Sequence, residues 1–336
     1  MPSTPPYRLG FAVKILAGGG MKTNDARRWQ SGPHLSHSIE LLDAAFDQLD
    51  RRDMRMFRMS SSTVPYGTHP DLPEFHYERQ IGECEEALAT LGAKASRYGI
   101  RLSTHPGQYT VLNSPDPGLV AKSSADVEQD ALLLDALGAG PEAAVVLHVG
   151  GVYGDERSAL DRFARAYEAL SERARRRLAV EHDEQSFDLA DVLQLHARTG
   201  ARVIYDMHHH RCNRTPGPLY DHAAAVAAAC ATWPAGVRPK VHLSSPRTEL
   251  RVVRGKPAAP LVAQHADFVT PWDLAELLGA AARPVDVMIE AKAKDLAVEW
   301  LRARMERLYP ALTAAEERAA TARTRAPEAR REPAEA

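Results

Sequence analysis

The sequence contains little cysteine and no long apolar run. Its three cysteines, Cys84, Cys212 and Cys230, form no C-x-x-C pair, which argues against a disulfide framework or a thiolate zinc site and favours a reducing compartment. No run reaches the ~18 consecutive apolar residues of a membrane-spanning helix, and the first residues lack the apolar region of a secretory signal. We therefore expect a cytoplasmic protein without a membrane partner.

An excess of charge of one sign and a nucleotide-binding motif are also missing. The 42 Lys and Arg nearly balance the 44 Asp and Glu, and the formal net charge is -2. Any attraction to nucleic acid must therefore come from a local basic surface or from bound metal ions. Neither G-x-G-x-x-G nor G-x-x-x-x-G-K-[ST] occurs, so we expect no nucleotide cofactor.

What the sequence does contain is a regular alternation of apolar strands and amphipathic helices. Strands are predicted at residues 9–14, 54–60, 101–105, 143–149, 178–183, 203–205, 239–245 and 285–292. Helices are predicted at residues 35–49, 77–98, 123–137, 157–177, 189–199, 219–232, 271–281 and 295–309. This order predicts an α/β protein with one (β/α)8 TIM-barrel domain over residues 9–310. We expect a loose segment at 1–8 and a disordered tail at 311–336, which is rich in Ala, Glu, Arg and Pro.

Six successive predicted strands end in side chains that commonly bind metals. These side chains are His105, His148, Glu181, Asp206 together with His209, His242 and Glu290. The carboxyl ends of the strands converge on one face of a parallel barrel, so we expect the side chains to meet there. One buried histidine or carboxylate is usually a hydrogen-bonded core group, but six at equivalent positions favour a multinuclear metal site.

Because side chains alternate along a strand, the neighbouring polar residues can be assigned to one face or the other. Lys240 shares a face with His242, whereas His182 points away from Glu181 and toward the helices, which predicts a structural role for His182. Histidine and carboxylate ligands without thiolates suit Mn²⁺, Zn²⁺ or Fe²⁺. Two such ions about 3.5–4 Å apart can clamp both oxygens of a phosphoryl displacement. Lys240 would either neutralise charge in the transition state or pair with a ligating carboxylate.

These residues lie in motifs that resemble the UV damage endonuclease family, a barrel relative of endonuclease IV. The motifs are RLGF, MFRMSSSTVPYGTHP, RLSTHPGQYTVLNSP, VVLHVGG, VEHDE, YDMHHHRCN, KVHLSSPR, QHADFV and MIEAKAKD. The resemblance implies three divalent ions, with Mn²⁺ the usual expectation and Zn²⁺ the alternative. The implied ligand sets are His105, His148 and Glu181; Asp206, His242 and Glu290 with Glu181 as the bridge; and His209 with His265. His69 also matches a family position near the metals.

The same resemblance implies a DNA repair enzyme that acts on damaged double-stranded DNA as a monomer. The family cuts the backbone 5′ to a UV photoproduct or another helix-distorting lesion by attack of a metal-activated water, leaving a 3′-hydroxyl and a 5′-phosphate. Glu181, Glu290 and Lys240 are then the catalytic residues, and a carboxylated Lys240 would be a metal ligand instead. Gln108 and Tyr109 match the pair that enters the duplex, where the ring replaces lost stacking; the alternative is a tyrosine packed on the barrel rim.

The N-terminal segment departs from the family. After RLG the family has a tyrosine and, four positions later, an asparagine, where this sequence has Phe11 and Ile15. We expect Phe11 to keep an aromatic contact with DNA and Lys14 to contact phosphate, unless this loop is simply solvated. Two other functions stay open at this point. One is a sugar isomerase or epimerase on a metal-dependent barrel, and the other is a damage-binding protein without catalysis.

Overall fold

The main feature of the computed structural model, which describes residues 7–22, 24 and 26–313, is a closed barrel of parallel strands. The strands are β1 (Leu9–Ala12), β2 (Met56–Arg58), β3 (Arg101–Thr104), β4 (Ala144–His148), β5 (Leu178–Glu181), β6 (Arg202–Asp206), β7 (Lys240–Leu243), β8 (Arg251–Val253), β9 (Lys256–Ala258) and β10 (Asp286–Ile289). Around the barrel the order is β1-β10-β7-β6-β5-β4-β3-β2, and β8 and β9 form a separate antiparallel hairpin. The predicted (β/α)8 barrel is confirmed.

Helices cover the outside of the barrel between the strands. They are α1 (Leu35–Arg51), α2 (Tyr77–Glu83), α3 (Glu85–Arg97), α4 (Pro117–Ala136), α5 (Glu156–Ala169), α6 (Glu172–Arg177), α7 (Leu189–Thr199), α8 (Met207–Cys212), α9 (His222–Ala231), α10 (Pro271–Ala280) and α11 (Lys294–Leu308). Aspartates cap several of them; the Asp116 side chain, for example, accepts a hydrogen bond from the Gly118 N–H. This cap, with Pro117 next to it, makes α4 begin six residues before the predicted start.

Two helices predicted as continuous are each divided in two. The helix predicted at 77–98 breaks at Cys84, whose φ of −109° and ψ of 13° are not helical. The helix predicted at 157–177 breaks at Leu170, with φ −67° and ψ 155°, and the Ser171 side chain caps the following α6. Apolar spacing continues across both breaks, so the pattern of residues alone did not reveal them.

The outward face of each strand packs against the helices. Phe11 on β1 and Phe57 on β2 are fully buried there, with ring centroids 5.4 Å apart in an edge-to-face arrangement. Ile15 is also buried. This placement contradicts the predicted DNA contact of Phe11, because Gly10 and Ala12 occupy the inward positions of β1 and Phe11 must point toward the helices.

The inward face forms layers along the barrel axis. Near the amino-terminal ends, Arg101 and Arg202 each lie over the Trp233 ring, at 5.3 and 4.8 Å from its centroid. Arg101 also pairs with Asp286 at 2.9 Å. Four residues further along the same three strands come His105, Asp206 and Glu290. A period of two therefore puts a structural cation or anion at one end of these strands and a potential metal ligand at the other.

Two further predictions concern the disorder of the chain ends and the absence of a membrane-spanning helix. The loose segment expected at 1–8 and the tail expected at 311–336 fall mostly outside the described residues, although 310–313 are helical. Disorder of both segments stays a prediction. Within the described residues, no helix combines the length and the apolarity needed to cross a bilayer.

Candidate metal centre

Glu181, at the carboxyl end of β5, is the hub of a cluster of histidines inside the barrel. Its side chain is 1% exposed, and Oε1 lies 2.9 Å from His242 Nδ1 and 3.4 Å from His209 Nδ1. Oε2 lies 3.7 Å from His148 Nε2 and 3.9 Å from His105 Nε2. Four histidines from separate elements thus surround one carboxylate, and the folded chain brings together residues that are far apart in sequence.

Two groups of potential ligands share this carboxylate. The first group is His105, His148 and Glu181, and the second is Glu181, Asp206, His242 and Glu290. Within each group the ligand atoms all lie within 4.8 Å of one another. Because Glu181 has one oxygen facing each group, it is suited to bridge two cations.

The two carboxylate oxygens of Asp206 have different surroundings, one at the start of a helix and one in the centre. It ends β6 and is the N-cap of α8, where Oδ1 accepts hydrogen bonds from the backbone N–H groups of His208 and His209, at 2.7 and 2.9 Å. The run of three histidines is therefore the first turn of a helix rather than the end of a strand. This turn directs His209 back toward Glu181, while His182 accepts a hydrogen bond from the Asp206 N–H at 3.1 Å, in agreement with its predicted structural role.

Three buried polar atoms of the centre indicate that a cation fits there. Glu181 Oε2, Asp206 Oδ2 and His242 Nε2 have no hydrogen-bond partner among the described residues. A buried polar atom left without a partner costs about 1–3 kcal/mol, so three of them in one cluster indicate that something else completes the site. Their oxygen and nitrogen lone pairs, without a thiolate, fit Mn²⁺, Zn²⁺ or Fe²⁺.

Hydrogen bonds to the backbone orient three of the histidines. The contacts are His105 Nδ1 with Pro106 O at 2.9 Å, His209 Nδ1 with His182 O at 3.0 Å, and His265 Nδ1 with Glu290 O at 3.0 Å. A carbonyl oxygen only accepts, so Nδ1 must donate, and Nε2 of the neutral ring is the nitrogen left to bind a metal. Metal-binding histidines are commonly held in this way.

A third potential site adjoins the two groups. The centroids of the His209 and His265 rings are 5.8 Å apart, and His265 Nδ1 lies 3.6 Å from Glu290 Oε2.

Sequence reasoning missed Glu184, whose Oε2 lies 3.9 Å from His209 Nε2. Its position three residues after the end of β5 was the available signal. The ring of His208 lies edge-on against His265, with centroids 5.6 Å apart.

Arg58 is a second residue that sequence reasoning missed. It ends β2, and its Nη1 donates a hydrogen bond to Glu290 Oε1. The available signal was an ionisable residue at the end of β2, at the same level as the ligands on the other strands. Because a guanidinium stays protonated in proteins, Arg58 is a permanent positive charge beside the carboxylates.

Lys240 lies deeper in the barrel and is less suited to carry a permanent charge. Its Nζ donates to Ser103 Oγ at 3.1 Å across the barrel interior. Burial lowers the pKa of Lys240 well below its usual value, and the nearby cations Arg58 and Arg101 lower it further. Lys240 therefore loses its proton more easily than an exposed lysine does.

Burial and neighbouring charges together set the pKa values of the histidines and carboxylates. Burial lowers the pKa of His105 to about 3, and the charge of Arg58 adds to the effect. Burial also disfavours the charged form of His209, but Asp206 and Glu181 outweigh it and raise the pKa to about 11. For Glu181, burial opposes ionisation, yet His242 and His148 hold its pKa well below the usual value. The centre thus keeps the Glu181 carboxylate ionised, which is the form that binds a divalent cation.

His69 lies apart from both ligand groups. It is exposed in the loop after β2, where Nδ1 accepts a hydrogen bond from the Asp71 N–H at 3.3 Å. Its ring centroid is 6.1 Å from that of Tyr66. The fold does not bring His69 together with the other predicted ligands.

The predicted DNA-contacting residues, apart from Phe11, lie on exposed loops of the same barrel face. Gln108 is exposed and Tyr109 is 78% exposed in the loop after β3, so Tyr109 is not packed on the rim. Tyr109 and Lys122 border a cavity of about 350 Å³. Lys14 is exposed in the loop after β1 and is one of the cations that, after burial, lower the pKa of Lys294.

Comparisons with solved structures agree with the barrel. The crystal structure of SacUVDE superimposes with a TM-score of 0.74 at 24% identity, covering 90% of this chain and 99% of the other. Endonuclease IV from Thermus thermophilus matches with a TM-score of 0.56 at 18% identity over 89% of this chain and 99% of the other. The 3-keto-D-glucoside 4-epimerase YcjR from E. coli also matches, with a TM-score of 0.53 at 12% identity over 88% of this chain and 99% of the other. At these identities the likeness concerns the fold, which nucleases and epimerases share.

Sequence comparisons distinguish between these two classes of enzyme. The UV DNA damage endonuclease of Bacillus pumilus (strain SAFR-032) is 32% identical over 253 residues, 73% of each chain. That of Bacillus cereus (strain Q1) is 30% identical over 271 residues, 79% of this chain and 78% of the relative. The family model described as UV-endonuclease UvdE matches residues 39–315. The match extends over nearly the whole barrel and confirms the resemblance found in the motifs: the chain belongs to the UV-endonuclease family.

Proposed function

We propose that this protein is a DNA repair endonuclease that recognises UV photoproducts or other helix-distorting lesions. It hydrolyses the phosphodiester 5′ to the lesion and leaves a 3′-hydroxyl and a 5′-phosphate. The observation that carries the proposal is the pair of ligand groups that share Glu181 on one barrel face, in a chain of the UV-endonuclease family. One barrel supplies every residue of the centre, which supports a monomer as the active form.

The proposed centre holds three divalent ions, with Mn²⁺ as the expected metal and Zn²⁺ as the alternative. His105, His148 and Glu181 would hold one ion, and Asp206, His242, Glu290 and Glu181 a second. His209 and His265 would hold the third, with Glu184 as the nearest additional carboxylate. The ions would supply an activated water and neutralise charge on the scissile phosphate.

The remaining steps fall to protein side chains. Arg58 lies against Glu290, where its guanidinium can hydrogen-bond a phosphate oxygen that approaches the centre. Glu181 and Glu290 keep their negative charge under these neighbours and position the cations. The predicted roles of Lys240 are positive charge in the transition state or a pair with a ligating carboxylate, and the family resemblance adds carboxylation. Its lowered pKa supports carboxylation, because a neutral amine is the form that reacts with carbon dioxide.

Lesion recognition is proposed for Gln108 and Tyr109. An exposed aromatic ring can replace the stacking lost when damaged bases leave the helix, and an amide can replace lost base hydrogen bonds. Damaged pairs unstack at lower cost than intact ones. Discrimination would then depend on how easily the duplex deforms rather than on the identity of the bases.

The proposed function is tested with purified protein and supercoiled plasmid, with and without UV irradiation. We expect nicking of the irradiated plasmid after addition of Mn²⁺ and none in the presence of excess chelator. A duplex with one photoproduct then locates the cut, and extension of the new end by a polymerase identifies a 3′-hydroxyl. Irradiated plasmid that stays intact with both Mn²⁺ and Zn²⁺, or equal nicking of both plasmids, would contradict the proposal.

Tyr109→Ala is expected to lower the preference for damaged over intact duplex by about tenfold, because base–aromatic stacking is worth about 1–3 kcal/mol. The preference is measured as the ratio of kcat/KM on the two substrates. Tyr109→Phe is the matched control, since it keeps the ring, and its preference should stay close to that of the parent. Equal losses on both substrates with Tyr109→Ala would argue against insertion of the ring into the duplex.

A further inference from the structure

A basic hairpin, residues 247–264, projects between β7 and α10. It contains β8 and β9, and the register pairs Val253 with Lys256 around a two-residue turn. Arg254 and Gly255 in that turn have φ values of 51° and 75°, the positive values that tight hairpin turns require. The two strands pack on each other and make no extensive contact with another described element. The hairpin is therefore free to meet another molecule.

The charge of the hairpin differs from that of the whole chain. It carries four basic residues and one acidic residue, a net charge of +3, whereas the chain as a whole is at -2. Arg247 lies 3.4 Å from Glu249. Arg251, Arg254 and Lys256 have no carboxylate within ion-pair distance in the described part of the chain. Three cations are thus available to an anionic partner.

The pairing of the strands places two of the cations on one face of the hairpin. Arg251 pairs with Ala258 and Val253 with Lys256, so Arg251 and Lys256 share one face of the hairpin. Val252, which pairs with Pro257, lies on the other face and is 68% exposed. An extended anion that lies along this side of the hairpin would meet both Arg251 and Lys256.

The base of the hairpin is joined to the metal centre through the backbone. The Arg247 N–H donates to Gln264 O at 2.8 Å, and Pro246 forms an antiparallel bridge with His265. His265 in turn contacts Glu290 O through Nδ1 at 3.0 Å. Arg254 in the turn is seven positions after Arg247, so it can lie at most about 23 Å from it in extended chain. The cations therefore stay on the side of the barrel that carries His265.

We propose that this hairpin is an arm that binds the backbone phosphates of duplex DNA beside the cleavage site, with Arg251, Arg254 and Lys256 as the contacts. The inference rests on the proposed function, which brings a polyanion to this face of the barrel. Contacts to phosphate position a duplex without reading its sequence. The arm would therefore add affinity for damaged and intact DNA alike, while selectivity comes from elsewhere.

The test compares a hairpin variant, R251A/R254G/K256A, with a control variant, R97A/R165A/R176A. Glycine is chosen at 254 because it keeps the positive φ of the turn. The control removes three exposed arginines from α3, α5 and α6, outside the centre and the hairpin. Binding of a duplex with one photoproduct is measured over a series of NaCl concentrations, and nicking of bound duplex is measured at saturating enzyme.

We expect the hairpin variant to bind at least about tenfold more weakly in low salt. Its plot of log affinity against log salt should be less steep by about 2–3, since each phosphate contact contributes roughly 0.9. Nicking of bound duplex should stay within about twofold of the parent, and the control should match the parent in both measurements. Lys256→Glu is the second variant in case the triple substitution unfolds the hairpin, and it should weaken binding in the same direction.

The possible outcomes distinguish a failure of the proposed arm from a failure of the proposed function. Parent-like affinity and salt dependence in both hairpin variants, with nicking intact, would overturn the arm and leave the endonuclease standing. A parent protein that binds duplex but does not nick would contradict the endonuclease, and a weaker hairpin variant would still support the arm. A parent protein that binds no duplex would overturn both.

Discussion

Replacing Glu181 by glutamine is expected to lower the rate of nicking of UV-irradiated plasmid by about 10³-fold or more, which corresponds to roughly 4 kcal/mol of transition-state stabilisation. Glu181 is the one residue that belongs to both ligand groups. A neutral amide keeps the shape of the side chain but loses the charge and the second anionic oxygen, so it cannot bridge two cations. Elemental analysis of the purified variant should accordingly find less Mn or Zn per chain than in the parent.

The matched control for this substitution is Glu172→Gln. Glu172 is exposed on α6 and pairs with Arg176 at 3.0 Å, away from the centre. Its nicking rate and metal content should equal those of the parent. A Glu181→Gln protein that nicks at the parental rate would show that the chemistry takes place without this cluster, whatever its metal content.

Asp286→Ala is expected to lower the free energy of unfolding by about 3–5 kcal/mol, because it leaves a buried cation without its partner. Asp286 Oδ2 pairs with Arg101 at 2.9 Å and with Arg8 at 3.1 Å, and Oδ1 pairs with Arg238 at 3.0 Å. Arg101 is 1% exposed and cannot regain hydration without opening the barrel end. Urea unfolding, with the slope compared between variants, measures the loss.

The pH dependence of this ion-pair cluster follows from the same carboxylate. Burial opposes ionisation of Asp286, but Arg101, Arg8 and Arg238 outweigh it and hold the pKa below the usual value. A lowered pKa means that the stabilisation is present above the pKa of the unfolded chain, about 3.9, and is lost as the pH falls toward the folded-state pKa. The difference between parent and Asp286→Ala should therefore shrink below about pH 4.

Asp161→Ala is the control for the stability experiment. Its carboxylate is 41% exposed and pairs with Arg198 at 2.8 Å, and exposed pairs contribute only about 0–1 kcal/mol. If Asp286→Ala cost no more than Asp161→Ala, then the buried cluster would not hold the amino-terminal end of the barrel together. That result would point instead to the Trp233 contacts of Arg101 and Arg202.

Much of the centre was predictable because strand geometry is periodic. Alternate residues of a strand share a face, so the last inward position of each parallel strand must point into the same end of the barrel. That rule is enough to group His105, His148, Glu181, Asp206, His242 and Glu290 from the sequence alone. The same rule, applied to β1, would also have assigned Phe11 to the helix side, since Gly10 and Ala12 occupy the inward positions.

Other features of the fold and of the centre depend on loops and helix ends, where side chains follow no regular spacing. The division of the predicted helices at Cys84 and Leu170 arises from local backbone angles that apolar spacing does not record. The exposure of His69, away from the ligand groups, depends on the path of a loop. The position of Arg58 against Glu290 became visible only when both strands were placed around the barrel.

By itself, the sequence determined the barrel, the identity of its ligand-bearing strand ends and the family of the chain, because these depend on residue order and on a period of two. Only the tertiary structure decided which atoms face one another. It made Glu181 the shared carboxylate, turned the three histidines into a capped helical turn and left a basic hairpin beside His265. These arrangements follow from how strands, loops and caps pack in space, and that packing joins residues with no fixed spacing along the chain.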